Sequence, residues 1–135
     1  MAKILIVEDN ALNIKLFCDL LAAHGHEPEA ITDSRNALDA AREFSPDLVI
    51  TDIQLPHVSG LDLIRMLRAD EKLAEVPIMA VTAYSGIGDE ERVRAAGAQA
   101  YVSKPISVVR FVAEVEALLP KEPALAGVEP GQSPG

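Results

Sequence analysis

The chain has one cysteine, so no disulfide can form within it. Cys18 falls in a helical pattern, where the expected role is a small core residue. No apolar stretch approaches the roughly 20 residues that a membrane-spanning helix needs, so no membrane partner is expected. The start, Met1-Ala2-Lys3-Ile4, enters a strand pattern at once and leaves no room for a secretory leader. Together these absences point to a reducing cytoplasm. Basic side chains are also scarce: 12 Lys and Arg against 21 Asp and Glu give a net charge of −9. The stretch after Pro120, with Lys121, Glu122 and Glu129, carries −1 of that, which leaves −8 in the body. A body so acidic repels nucleic acid phosphates, and no basic stripe offsets it, so DNA binding is not expected. His24, His26 and His57 show no metal-ligand spacing, which argues against zinc. There is no internal repeat.

What is present fits one domain. The 135 residues suffice for a single core, and 49% apolar with 24% charged is ordinary for a globular protein. Unbroken apolar runs at Ile4–Val7, Leu48–Ile50 and Pro77–Val81 read as strands buried on both faces. A weaker strand is expected at Glu27–Ile31 and another around Ala100–Val102. Helical patterns separate them. Leu12, Leu16 and Leu20, with Phe17 and Leu21, follow an Asn10 cap and stop at Gly25. Ser34 is placed to cap a helix through Phe44, with Ala37, Leu38 and Ala41 facing inward and Pro46 ending it. Ser59 with Asp62 resembles a capping box, and Asp89-Glu90-Glu91 suits a helix start that ends at Gly97. A last helix carries the stripe Val108, Phe111, Val112, Val115, Leu118 and Leu119. The alternation predicts a (βα)5 fold, a doubly wound five-stranded parallel sheet; the expected form is flavodoxin-like, whose strand order is 2-1-3-4-5. Residues 1–119 form the domain, and 120–135, rich in Pro and Gly, are expected to be a flexible tail.

Four strand patterns end in polar residues: Glu8-Asp9, Asp52, Thr82 and Lys104. In a parallel sheet all four endings share one edge, where open α/β folds bind ligands. Adjacent carboxylates repel unless a cation compensates them, and an all-oxygen set favours a hard ion, best Mg²⁺. Beside such an ion Asp52 can act as nucleophile toward phosphorus. Lys104 can pair with a phosphoryl oxygen, Thr82 can donate to another, and small Ala83 leaves the site open. Each residue alone has a plain structural explanation; the joint placement does not.

The segments ILIVEDN (4–10), DLVITDIQLPHVSG (47–60), VPIMAVTA (76–83) and AAGAQAYVSKP (95–105) resemble the receiver domains of two-component response regulators. Similarity over VEDNALNIKLF, DIQLP, GDEER and KPISVV narrows this to single-domain regulators of cell division. The resemblance implies Asp52 as phosphoacceptor. It implies Mg²⁺ held by Asp9, Asp52 and the Gln54 backbone carbonyl, with Glu8 joining through water. Thr82 and Tyr101 would form the switch, Tyr101 turning inward as Thr82 moves, and Lys104-Pro105 matches a cis peptide. The implied donor is a sensor histidine kinase, which can also act as phosphatase, or a histidine phosphotransfer protein. The implied output is effector binding through the face of the fourth helix, fifth strand and fifth helix. Gln54 and Tyr84 would border the path of attacking water, and bulky Tyr84 is expected to lengthen the phosphoryl lifetime. A phosphorelay intermediate or a chemotaxis-type regulator are nearby alternatives. A dehalogenase-type phosphatase lacks its second acid here, since Gln54 stands in that place. A flavodoxin would meet its phosphate with Glu8-Asp9. A degenerate, unphosphorylated receiver conflicts with the presence of Glu8, Asp9, Asp52, Thr82 and Lys104.

Overall fold

Apolar runs without polar alternation become strands covered on both faces, and the burial shows this directly. The structure, a computed structural model, describes residues 2–83 and 88–119. Tyr84 and the expected tail at 120–135 lie outside the described residues. Strands β1 (Lys3–Val7), β2 (Glu27–Ile31), β3 (Leu48–Asp52), β4 (Ile78–Thr82) and β5 (Ala100–Ser103) alternate with helices α1 (Ala11–Ala23), α2 (Ala37–Phe44), α3 (Gly60–Ala69), α4 (Asp89–Ala96) and α5 (Val108–Leu118). All pairings are parallel, in the order β2-β1-β3-β4-β5 that the sequence predicts.

Parallel neighbours require helical crossovers, and these are right-handed. The step from β1 to β2 runs one way across the sheet, and the steps from β2 through β5 run the other. One hand therefore sends α1 to one face and α2, α3 and α4 to the opposite face. Strand side chains divide accordingly. Ile4, Ile6, Leu48 and Ile50 pack with Phe17 and Leu21 of α1 and with Phe111 and Val115 of α5. Leu5, Val7 and Val49 pack with Ala37, Ala41, Leu63 and Leu67. The Phe17 and Phe111 rings stack at 5.0 Å between centroids, joining α1 to α5. Such a pair adds about 1 kcal/mol beyond its burial. Among the described residues, no helix is long and apolar enough to cross a membrane.

The caps agree with the sequence at three helices and differ at one. Asn10 accepts from the Asn13 amide, Ser59 from Asp62, and α4 begins with Asp89, Glu90 and Glu91 and ends at Gly97. Ser34, however, does not cap α2. Asp33 accepts from the Arg35 amide and starts a 3₁₀ turn over Ser34–Asn36, with α2 following from Ala37. A carboxylate on the preceding residue competes for the same amides, which frees the Ser34 hydroxyl for another partner. The α1 stripe is also narrower than its leucines suggest. Leu12 is 79% exposed and Leu16 38%, while Phe17 and Leu21 are buried. At 3.6 residues per turn, Leu16 lies about 100° and Leu12 about 140° around the helix from Phe17. Val108 is likewise exposed, leaving Phe111 and Val115 as the buried line of α5. Cys18 is half-buried and packs against the core. His24 and His57 are exposed; His26, in the turn before β2, is half-buried and bonds Glu116 of α5 at 2.7 Å.

Candidate functional site

The winding direction reverses between β1 and β3, so no helix covers the crevice at their carboxyl ends. Register sets the neighbours there: Val7 lies beside Thr51, Asp52 beside Val81, and Thr82 beside Ser103. Backbone bonding continues one residue past the strands. Glu8 donates to Ile31 O at 3.1 Å, Ile53 to Val81 O at 3.2 Å, and Lys104 to Thr82 O at 2.8 Å. The side chains at these ends are therefore held by the sheet and not by free loops.

Glu8, Asp9 and Asp52 each offer a carboxylate oxygen within 4.8 Å of the others. Glu8 is 1% exposed and Asp52 7%, whereas Asp9 opens to solvent. The Lys104 ammonium sits between the two buried acids, 3.1 Å from Glu8 Oε1 and 3.0 Å from Asp52 Oδ2. Each acid's other oxygen is held by backbone: Asn10 N donates to Glu8 Oε2 at 3.1 Å, and Gln54 N to Asp52 Oδ1 at 3.0 Å. Burial pushes the Glu8 carboxyl above the usual glutamate range, and the Asp52 charge adds to that; the Asn10 amide and Lys104 oppose it. Burial alone would depress the Lys104 ammonium, but Asp52 and Glu8 reverse this and raise it.

Gly60 makes the close packing under Asp52 possible. Its amide donates to Ile53 O at 2.9 Å, which starts α3 directly beside the acid. A Cβ at this position would run into the Asp52 carbonyl oxygen and Ile53 Cα. Thr82 is buried at the end of β4. Beside it a cavity of about 180 Å³ opens, with Ile53, Leu61, Val93 and Tyr101 among its walls. The Tyr101 ring is 7% exposed and packs in the core of the α2–α4 face, so it already lies inward. The Lys104-Pro105 peptide is cis.

The structure thus gathers Glu8, Asp9, Asp52 and Lys104 into one cluster, with Thr82 on the next strand end. Gln54 meets Asp52 through its backbone amide. The donor chemistry suits a hard divalent cation: three converging carboxylates, two of them buried, with an ammonium lodged where positive charge is required. Sequence reasoning did not find the parts of Asn10, Gly60 and Ser34 at this edge. Only Gly60, directly after a capping serine, carried a signal, because glycine there points to a close backbone approach.

This sheet, crevice and acid cluster define a class of signalling protein: the chain belongs to the response regulator receiver domain family, whose model matches residues 4–116. It is 52% identical over 116 residues to the polar-differentiation response regulator DivK of Brucella abortus, covering 86% of this chain and 94% of that protein. Among solved structures it superposes on the Vibrio cholerae chemotaxis protein CheY4 with a TM-score of 0.83 at 25% identity, covering 88% of this chain and 99% of that one. The receiver domain of the Pseudomonas aeruginosa sensor histidine kinase PA1611, with a magnesium ion coordinated in its active site cleft, matches at a TM-score of 0.80 and 30% identity, covering 87% of this chain and 96% of that one.

Proposed function

We propose that this response regulator accepts a phosphoryl group on Asp52 from the phosphohistidine of a sensor kinase or phosphotransfer protein. The observation that carries the reading is the Asp52 carboxylate itself, nearly buried, held by Gln54 N and Lys104, with Glu8 and Asp9 alongside. An Asp52 oxygen attacks phosphorus, the P–N bond breaks, and the histidine ring leaves with the bonding pair, so the product is an aspartyl phosphate. Lys104 exchanges its bond to Asp52 for one to a phosphoryl oxygen, and Thr82 donates to another. Glu8, Asp9, Asp52 and the Gln54 carbonyl would hold Mg²⁺, a reading supported by the magnesium in the cleft of the PA1611 receiver domain. Bound there, Mg²⁺ offsets the charge of the incoming phosphoryl group.

The receiver domain spans 1–119, with 120–135 as a tail, and the protein works in the cytoplasm on no separate substrate. Thr82 and Tyr101 bias the face of α4, β5 and α5, which binds effector proteins. The similarity to DivK favours a task in cell-division control. Incubation with acetyl phosphate tests the phosphoryl reading. Intact mass should show one added phosphoryl group in the presence of Mg²⁺ and none in Asp52→Asn. Equal labelling of the variant would sink it.

A further inference from the structure

Between β2 and α2 the chain buries a hydroxyl. Ser34 is 3% exposed, and its Oγ does two things at once. It donates to Pro56 O at 2.8 Å and accepts from Val58 N at 3.1 Å. Both partners lie in the loop between β3 and α3. They bracket His57, whose φ of 70° is left-handed and unusual for a side chain of its size. That loop leaves the sheet at Ile53 and closes on itself where Gly60 N meets Ile53 O at 2.9 Å. Ser34 is the tie that holds its middle. Upstream of the bracket, Gln54 N grips Asp52 Oδ1; downstream, Gly60 packs on the Asp52 carbonyl.

We infer that Ser34 is a positioning residue for the metal and phosphoryl site: through Pro56 and Val58 it holds the β3–α3 loop in the conformation that brings Gln54 to Asp52. This rests on the proposed Mg²⁺ site at Glu8, Asp9, Asp52 and Gln54. Without the hydroxyl, Val58 N loses its acceptor, Pro56 O its donor, and His57 the bracket that keeps its φ positive. The loop then spends part of its time in other conformations. Affinity for an ion that needs the Gln54 carbonyl falls by the fraction of time the loop is competent.

The test is a calorimetric Mg²⁺ titration of the full chain as wild type, Ser34→Ala and Asp52→Asn, with urea midpoints measured beside it. Ser34→Ala should weaken Mg²⁺ binding roughly tenfold, the lower end of what loss of an outer-shell partner costs a metal site. A purely structural role would move the urea midpoint and leave the affinity of the folded protein alone. A second arm needs no variant. Because Mg²⁺ binds only the competent loop, it should slow amide exchange of Val58 in the wild type by a factor of 1 + [Mg²⁺]/Kd, roughly tenfold at about nine times Kd. The Gly25 amide, bonded to Ala22 O at the far end of α1 and exchanging by local fraying, should not respond. Unchanged Mg²⁺ affinity in Ser34→Ala overturns the inference and spares the site. If Ser34→Ala does not fold, unchanged Val58 exchange overturns it in the same way. Failure of the wild type to bind Mg²⁺ overturns both.

Discussion

Asp52 shows how one side chain is prepared by several backbones. Its two oxygens are committed to different partners, Gln54 N and the Lys104 ammonium, and its own carbonyl is packed against Gly60. Lys104 in turn serves Glu8, so a single cation offsets two buried acids. Removing one partner from such a group is costly because the other charges stay buried. Gly60 is the most exacting position. Gly60→Ala puts a methyl group where the Asp52 carbonyl stands, and the backbone of β3 or α3 must shift. Overpacking of this kind should destabilise the fold by about 1–3 kcal/mol in urea denaturation. An unchanged midpoint would show that α3 does not start as close to Asp52 as described. The strand-end residues were legible in the sequence because each apolar run fixes where its strand stops. The support from Asn10 was not, and Gly60 offered only the hint of a glycine after a capping serine, since both depend on how two loops approach each other in space.

At the scale of elements, hydrophobic period and capping residues predicted the alternation correctly, including the weakly marked β2. The errors lie where local and distant partners compete. Ser34 has the chemistry of a cap, but Asp33 takes the cap and Ser34 bonds a loop far along the chain. Leu12 and Leu16 continue a leucine series that only the helix angle separates from Phe17. Joints between helices also use charge. The Asp70 side chain at the end of α3 is largely shielded and accepts from Arg42 Nε of α2 at 2.6 Å, while Lys72 N donates to its other oxygen. Arg42 first, and then the local amides, hold the Asp70 carboxyl below the usual aspartate range. A depressed carboxyl stabilises the fold above its unfolded value of about 3.9, and that contribution is lost as pH falls through the lower folded value. Asp70→Asn should therefore flatten the acid limb of the stability curve and leave the neutral-to-alkaline shape unchanged. An acid limb as steep as that of the wild type would remove this pair as a cause.

The whole molecule places its chemistry at one edge of the sheet and a candidate output at one side. Handedness fixes the face each helix takes but not the strand order, so the crevice between β1 and β3 was predictable only because the flavodoxin-like order was expected, and the observed order agrees with it. Less predictable was the state of Tyr101, which the resemblance expects to turn inward on activation and which already lies buried. Burial of an aromatic depends on the room beside it, here the cavity next to Thr82, and strand periodicity does not encode that room. If Tyr101 transmits the signal, Tyr101→Ala should keep Mg²⁺-dependent labelling of Asp52. It should also reduce the difference in effector affinity between labelled and unlabelled protein, normally worth about 1–3 kcal/mol. An undiminished difference would remove Tyr101 from the switch.

The most direct measurement is an amide NMR titration with beryllium fluoride, which imitates a phosphoryl group, with and without Mg²⁺. In the wild type, shifts should appear at Asp9, Asp52, Gln54, Thr82 and Lys104 only when the metal is present, and Asp52→Asn should abolish them. Shifts that arise without Mg²⁺, or that persist in Asp52→Asn, would contradict a phosphoryl site built on converging carboxylates.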